Sequence, residues 1–416
     1  MSRCGILFHI DSKSRHRSPC GRDSHRRGDL GAWSRPTVPQ PVRVAWLQPV
    51  VAHYRVPVIE QLAAQDGIEL TVYAGQARVG IGVDDASSEL TTTCVRLTNV
   101  WVPRGGARVL YSMGWSQVLR GGYRVLIIPE ASHNFSNLLA LILAPILGCR
   151  VIIMGHIAPW AGQGRRVGVV RSWMLRLAAG VIAYSETGRR FALASGVDAR
   201  RVVAMGNTLD LNAIERAKNG VRAVQVAELR RDLGVRGPVL LFVGRPTAPK
   251  RLDVLLEALM TLRKRGREVS ALVLGSSSEL PAYRAFVRDN GIERVQFLGQ
   301  IVDEEAIARY FRLADAVVIP GAVGLSANHS FAYGVPLVTS EGVDHRPEMA
   351  LAAHDVNTHF VRRCDAQAFA QDLDALLFED AERLNRLRRG AEATRVPSLN
   401  DMVSAIHGLI STVAEH

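Results

Sequence analysis

The sequence predicts an α/β protein made of two doubly wound halves that face each other across a cleft. Short apolar runs bounded by Gly, Pro and polar residues alternate with segments of helical periodicity across residues 41–395. The alternation loosens once, over residues 219–237, and then restarts in tighter form. Repeated strand–helix–strand units of this kind imply a parallel sheet covered by helices on both faces.

Length and charge set the outer limits. With 416 residues, 48% hydrophobic and 22% charged, the chain can bury a sizeable core in two or three domains. Residues 1–40 hold eight Lys/Arg against three Asp, which leaves +7 of the net +12 on the rest. They are rich in Arg, Ser, His, Gly and Pro and read as a disordered basic leader, with a role or without one. A body at +7 favours anionic partners. No stripe of Lys/Arg interleaved with aromatics appears outside the leader, which argues against nucleic acid. The five cysteines show neither CxxC spacing nor an even count, a reduced, cytoplasmic pattern without zinc-site spacing. No apolar signal region is visible.

The first half opens with a strand at Val42–Leu47, a loop through His53, and a helix carrying Tyr54, Val58, Ile59 and Leu62. Strands follow at Ile68–Tyr73, Cys94–Leu97 and Tyr123–Ile128, with a Gly- and Ser-rich loop over Ala74–Ser88. The run Leu138–Gly148 is too short to span a bilayer and reads as a buried helix. After a strand at Arg150–Met154, residues Arg165–Ala179 form a basic amphipathic helix. Its stripe of Val169, Val170, Trp173, Met174 and Leu177 reads first as core-facing; a membrane-surface role is the minority reading. Val181–Tyr184 and Val202–Met205 close the first sheet.

In the second half Val239–Val243 is a strand. Leu252, Leu255, Leu256, Leu259 and Leu262 then mark one helix face, which ends in Arg263, Lys264, Arg265 and Gly266. Strands at Ser270–Gly275, Val295–Gly299 and Ala316–Ile319 alternate with helices at Ala282–Asn290 and Asp303–Leu313. Helices at Asp365–Phe378, Ala381–Glu392 and Asn400–Glu415 finish the chain.

Two stretches carry chemistry. Residues 319–340 (IPGAVGLSANHSFAYGVPLVTS) run strand, glycine turn, short helix, strand. Free backbone amides and a helix N-terminus suit a phosphate, with Ser326, Asn328 and His329 beside it. The second stretch leaves its strand at Gly244 and carries Arg245 and Lys250 on one strand-to-helix loop. Those two cations suit a diphosphate, and equally an ordinary surface pair. In the first half, Glu130, His133 and His156 follow strand ends, where ligands bind in such sheets.

Four blocks in order, FVGRPTAPKRLDVLLEAL, ALVLGSSSE, VQFLGQIVDEEAIARYFRLADAVVIPG and GLSANHSFAYGVPLVTS, resemble the carboxy-terminal half of group 1 glycosyltransferases (glycosyltransferase family 4). LQPVVAHYRVPVIEQLA, MGHI and VIAYSETGRRFALASGV followed by GNTLD are similar to the amino-terminal half more loosely. The resemblance implies the GT-B fold. It divides the chain into the leader (1–40), an acceptor domain (41–220), a donor domain (221–395) and a final helix (396–416) that packs back on the acceptor domain. It implies retaining transfer of a sugar from a UDP- or GDP-linked donor to a saccharide or lipid-linked acceptor, in surface-polysaccharide or glycolipid assembly, with no cofactor and no obligatory metal. The protein would be cytoplasmic, with a membrane surface as a further partner at the inner face and no nucleic acid.

The resemblance also assigns residues. Gly244, Arg245, Lys250, Gly324, Leu325 and Ser326 would face the donor diphosphate, Asn328 and His329 the donor sugar and ribose, and Gly299 and Gln300 the base. His156, His133 and Glu130 would be the catalytic, acceptor-side residues. The family's Glu-x7-Glu pair falls here on Gly321 and His329, so both carboxylates are missing. That departure keeps open a non-catalytic scaffold of the same fold and, with less support, a nucleotide-sugar epimerase.

Overall fold

Two parallel sheets form the frame. The computed structural model describes residues 40–76, 85–104, 107–113, 115–130, 134–158 and 165–415. The leader falls outside these residues, and Gln40–His416 form one compact unit. The first sheet holds β1 (Val42–Gln48), β2 (Ile68–Ala74), β3 (Cys94–Arg96), β6 (Val125–Pro129), β7 (Arg150–Gly155), β8 (Gly180–Ala183) and β9 (Val202–Ala204). Its order is β3-β2-β1-β6-β7-β8-β9, every pair parallel. Between β3 and β6 the chain inserts an antiparallel hairpin, β4 (Thr98–Arg104) and β5 (Ala107–Met113), which the sequence reading did not anticipate.

The second sheet holds β10 (Val239–Val243), β11 (Ser270–Leu274), β12 (Val295–Gly299), β13 (Ala316–Val318), β14 (Leu337–Ser340) and β15 (Thr358–Val361), in the order β12-β11-β10-β13-β14-β15. All five residues of β10 are buried. At roughly 1.5–3 kcal/mol for each large aliphatic side chain, such a strand belongs at the centre of a sheet, where it lies. In each sheet the strand order reverses once, between β1 and β6 and between β10 and β13. Crevices for ligands open at the carboxyl ends of the strands at such reversals. The loops leaving these four strands carry Arg55, Glu130, Gly244–Lys250 and Ile319–Leu325.

The helix Leu399–Glu415 ends the chain on the first sheet. Met402, Ile406, Leu409 and Ile410 share a core with Val44, Ile152 and Ile182. The Arg124 guanidinium donates to the Ala414 carbonyl near the end of that helix, at 3.2 and 3.1 Å. Cations are favoured at such an end.

Two helices differ from their sequence reading. Phe135–Ile146 is buried only along Ser136, Asn137, Ala140, Leu141 and Ala144. Ile142 and Ile146 face solvent, 51% and 76% exposed, so the run is not a buried helix. In Arg165–Leu177 the expected core-facing stripe is turned outward: Val169, Val170, Trp173 and Leu177 are exposed, while Met174, Leu175 and Arg171 are buried. On the inward face Arg171 donates to Glu130, just past β6, and Met174 and Leu175 join the core.

Candidate functional site

The carboxyl ends of the second sheet supply one wall. Gly244 has φ +111°, a conformation glycine adopts freely, and a Cβ there would lie 3.3 Å from Lys250 Cε and 3.4 Å from Ser326 Oγ. The backbone thus comes close to both residues. Lys250 Nζ donates to the Ala322 carbonyl at 3.3 Å. Burial, then repulsion from Arg245 and Arg346, pushes its ammonium down to about 8, with Glu348 opposing. This is a cation held where an anion would relieve it.

The loop after β13 docks on that lysine's own loop. Gly321 N donates to the Lys250 carbonyl (3.0 Å) and Ala322 N to the Pro249 carbonyl (2.8 Å). A Cβ on Gly321 would stand 2.1 Å from the Pro249 oxygen. No side chain fits there, which gives a physical reason for glycine where the resemblance expects the first Glu. Ser326 donates its hydroxyl to the Val243 carbonyl at 3.0 Å, tying the short helix Ser326–Ala332 to the end of β10. Leu325 caps that helix and Gly324 precedes it, beside Arg346 and Glu348.

Asn328 and His329, adjacent in sequence, go different ways. Asn328 is buried and donates to the Asn207 carbonyl at 2.9 Å, toward the first half of the chain. His329 lines a cavity of about 520 Å³ between the halves, with Gly244, Arg245 and Gln300 on one side and His53 and Tyr54 on the other. Its Nε2 lies 2.9 Å from Glu304 Oε1, to which the Tyr333 hydroxyl also donates at 2.6 Å. These bonds hold the Glu304 carboxyl low against the upward push of its burial. A carboxylate from another helix therefore stands against His329. Gly299, at φ +75°, turns the chain out of β12 just before Gln300.

The first half supplies the opposite wall. His156 follows β7 and lines a second cavity, of about 260 Å³, with Ser185, Thr187, Asp344 and Arg346. Burial, then the charges of Arg346, Arg55 and Arg171, push its imidazole down to about 4 against the pull of Asp344. It is neutral at physiological pH. Its ring meets the Tyr184 ring edge-on, with centroids 5.0 Å apart. Glu130 is committed to Arg171, whose Nε donates to its Oε1 at 2.8 Å, and burial raises its carboxyl despite that partner. His133 lies outside the described residues.

Arg55, Arg171, Tyr184, Glu304 and Arg346 were not singled out from sequence as parts of one site. The structure also buries Glu348 there, with Oε1 accepting from Asn207 Nδ2 at 2.5 Å. Each of the five is an ordinary side chain on a loop or helix. Only convergence of distant segments distinguishes it, and no local pattern records that.

Residues 237–379 match the family model described as Glycosyl transferases group 1. The chain is 31% identical over 254 residues to a phosphatidyl-myo-inositol mannosyltransferase of Mycobacterium leprae, a match covering 59% of this chain and 62% of that protein. It is 34% identical over 174 residues to a D-inositol 3-phosphate glycosyltransferase of Xylanimonas cellulosilytica, covering 40% of each. The matches thus span about two-fifths to three-fifths of these relatives. Among solved structures, Anabaena HepE in complex with UDP superposes with a TM-score of 0.67 at 17% identity, covering 90% of this chain and all of that one. Sucrose-phosphate synthase of Thermosynechococcus elongatus gives 0.64 at 17% identity, covering 89% and 99%. At these identities the likeness establishes the fold, which is GT-B.

Proposed function

We propose that this chain, whose residues 237–379 match the group 1 glycosyltransferase model, transfers a sugar from a nucleotide donor to an acceptor hydroxyl with retention of configuration. The observation that carries the reading is the cavity of about 520 Å³ between the two sheets, with Gly244, Arg245, Gln300 and His329 on its wall. The nucleotide lies there, with its base toward Gly299 and Gln300. Arg245 and Lys250 meet the diphosphate, together with the amides of Gly324, Leu325 and Ser326. As the bond to the sugar loosens, charge grows on the departing diphosphate. Cations already fixed in place stabilise it without a metal ion and without rearrangement. Lys250 gains most, because the diphosphate restores a charge that burial and its neighbours disfavour.

His329, held by Glu304, contacts the ribose or the donor sugar in place of the missing carboxylate, with Asn328 behind it. His156, neutral at working pH, offers the acceptor hydroxyl a nitrogen from the second cavity. Glu130 and its partner Arg171 hold the floor of that region. HepE was solved with UDP and with UDP-glucose, which supports a uridine donor over a guanosine one.

The acceptor is a saccharide or a lipid-linked molecule. The outward apolar side chains Ile142, Ile146, Val169 and Trp173 offer a surface that rests on the membrane during glycolipid or polysaccharide assembly. Among the described residues no helix is long and apolar enough to cross one.

Calorimetric titration with UDP, GDP and ADP tests the donor site. UDP is expected to bind the wild type, and Arg245→Ala and Lys250→Ala to weaken it by about tenfold or more each. Absence of binding by any of the three nucleotides would remove the basis of the enzymatic reading. Unchanged affinity in both variants would remove the diphosphate assignment.

A further inference from the structure

The cavity between the two sheets holds a carboxylate with one oxygen to spare. Glu304 opens the helix Glu304–Leu313 and lines the cavity of about 520 Å³ together with Arg245, Gln300 and His329. Its Oε1 accepts from the Tyr333 hydroxyl at 2.6 Å and stands 2.9 Å from His329 Nε2. Among the described residues its Oε2 has neither a hydrogen-bond nor an ion-pair partner. The side chain is 25% exposed, so the cavity reaches it.

Packed rings fix the two groups that hold this carboxylate. Tyr333 stacks flat on Phe311, with centroids 4.4 Å apart and planes 10° off parallel, and the His329 ring lies 5.0 Å from Phe311. Phe311 is itself buried on the helix that Glu304 opens. Burial pushes the Glu304 carboxyl up, but the bonds from His329 and Tyr333 hold it below its ordinary value. It is therefore ionised at physiological pH, and an ionised carboxylate only accepts hydrogen bonds. Its spare oxygen calls for a hydroxyl or an N–H. Two other titratable groups on the cavity are engaged with their own surroundings. His53 bonds Glu89 at 2.9 Å, and Asp210 caps the helix Leu211–Gly220 by accepting from Ala213 N at 3.0 Å.

In any nucleotide the ribose joins the base to the diphosphate. Here it lies between Gln300 on the base side and Gly244 and Arg245 on the diphosphate side, and Glu304 and His329 share that cavity. A diphosphate offers the carboxylate no donor and is repelled by it. A ribose diol offers two hydroxyl donors. We propose that Glu304 binds the donor ribose directly, its spare oxygen accepting from a ribose hydroxyl, while His329 steadies it and is left to face the donor sugar. The carboxylate missing at position 329 is thus supplied by another helix, 25 residues earlier in the chain. The assignment rests on the transferase reading and names the residue that selects a ribonucleotide.

The test is calorimetric titration of the full chain with UDP, 2′-deoxy-UDP and 3′-deoxy-UDP, with the matching guanosine set beside it. The wild type should bind a ribonucleotide about tenfold or more tightly than one of its deoxy forms, since a hydrogen bond to a charged group is lost. Glu304→Ala should abolish that preference and leave the affinity for the deoxy form unchanged, which controls for folding. Glu304→Gln, which keeps an acceptor, should fall between. His329→Ala should retain the preference, because Tyr333 still holds Glu304. Glu304→Ala combined with His329→Glu should restore it. If the wild type binds ribo and deoxy forms alike, if Glu304→Ala keeps the preference, or if His329→Ala abolishes it, the ribose contact is refuted while the transferase reading stands. A double variant that binds the deoxy form normally and shows no preference would overturn the relocation of the carboxylate. If no nucleotide binds the wild type, the transferase reading falls and the ribose site with it.

Discussion

Replacing Lys250 with Met should make the unliganded protein more stable and its nucleotide binding worse. The ammonium is held near 8 in the folded chain against an ordinary value of 10.5. That gap amounts to roughly 3 kcal/mol of disfavoured charge at pH 7. Removing the side chain also removes its bond to the Ala322 carbonyl, which costs about 1 kcal/mol. Partial contact with solvent reduces the gain further, so the net stabilisation expected is ~1–2 kcal/mol. The pH profile follows from the same gap. The unfolded chain keeps the proton up to about 10.5 and the folded chain releases it near 8. Wild-type stability therefore rises with pH across that window, and the advantage of the variant fades over it. Urea denaturation at pH 7 and pH 10, with UDP calorimetry at pH 7, reads both effects. A variant that is less stable at pH 7 and keeps full UDP affinity would refute the claim that Lys250 is a strained cation awaiting a diphosphate.

Gly321→Ala should cost ~2 kcal/mol by urea denaturation and weaken UDP binding, because its Cβ must displace the Pro249 carbonyl and with it the Lys250 loop. His156→Gln should flatten the acid side of the stability curve: the imidazole is held near 4 against 6.5 unfolded, so wild-type stability is lost as pH falls between those values. Glu304→Gln should raise the UDP dissociation constant by about threefold to tenfold by loosening His329, with Lys250-dependent binding retained. Trp173→Glu combined with Ile146→Glu should abolish co-sedimentation with anionic vesicles while leaving UDP affinity unchanged, since both side chains face solvent away from the cavity.

The strands were legible because apolar runs of four to seven residues, closed by Gly or Pro, suit the interior of a parallel sheet. Val239–Val243 was read at the same bounds it has in the structure. The hairpin of Thr98–Arg104 and Ala107–Met113 was missed because its short apolar stretches are broken by Pro103, Arg104 and Arg108. The helix Arg165–Leu177 was misjudged for a different reason. Its periodicity marked an apolar stripe, but the face turned inward carries Met174, Leu175 and Arg171, the last paired with Glu130 at the end of β6.

By itself the sequence determined the two α/β halves, the glycine turns at strand ends, and the match of residues 237–379 to the group 1 glycosyltransferase model. These rest on local patterns, since period, turn chemistry and motif spacing are written within a few tens of residues. Only the tertiary structure decided why Gly321 has no side chain, which carboxylate stands against His329, and that Arg55 is buried against the Tyr184 ring. Each depends on a second segment far away in the chain, namely Pro249, Glu304 and Tyr184. The energy of bringing charges together across such distances leaves no trace in the order of neighbouring residues.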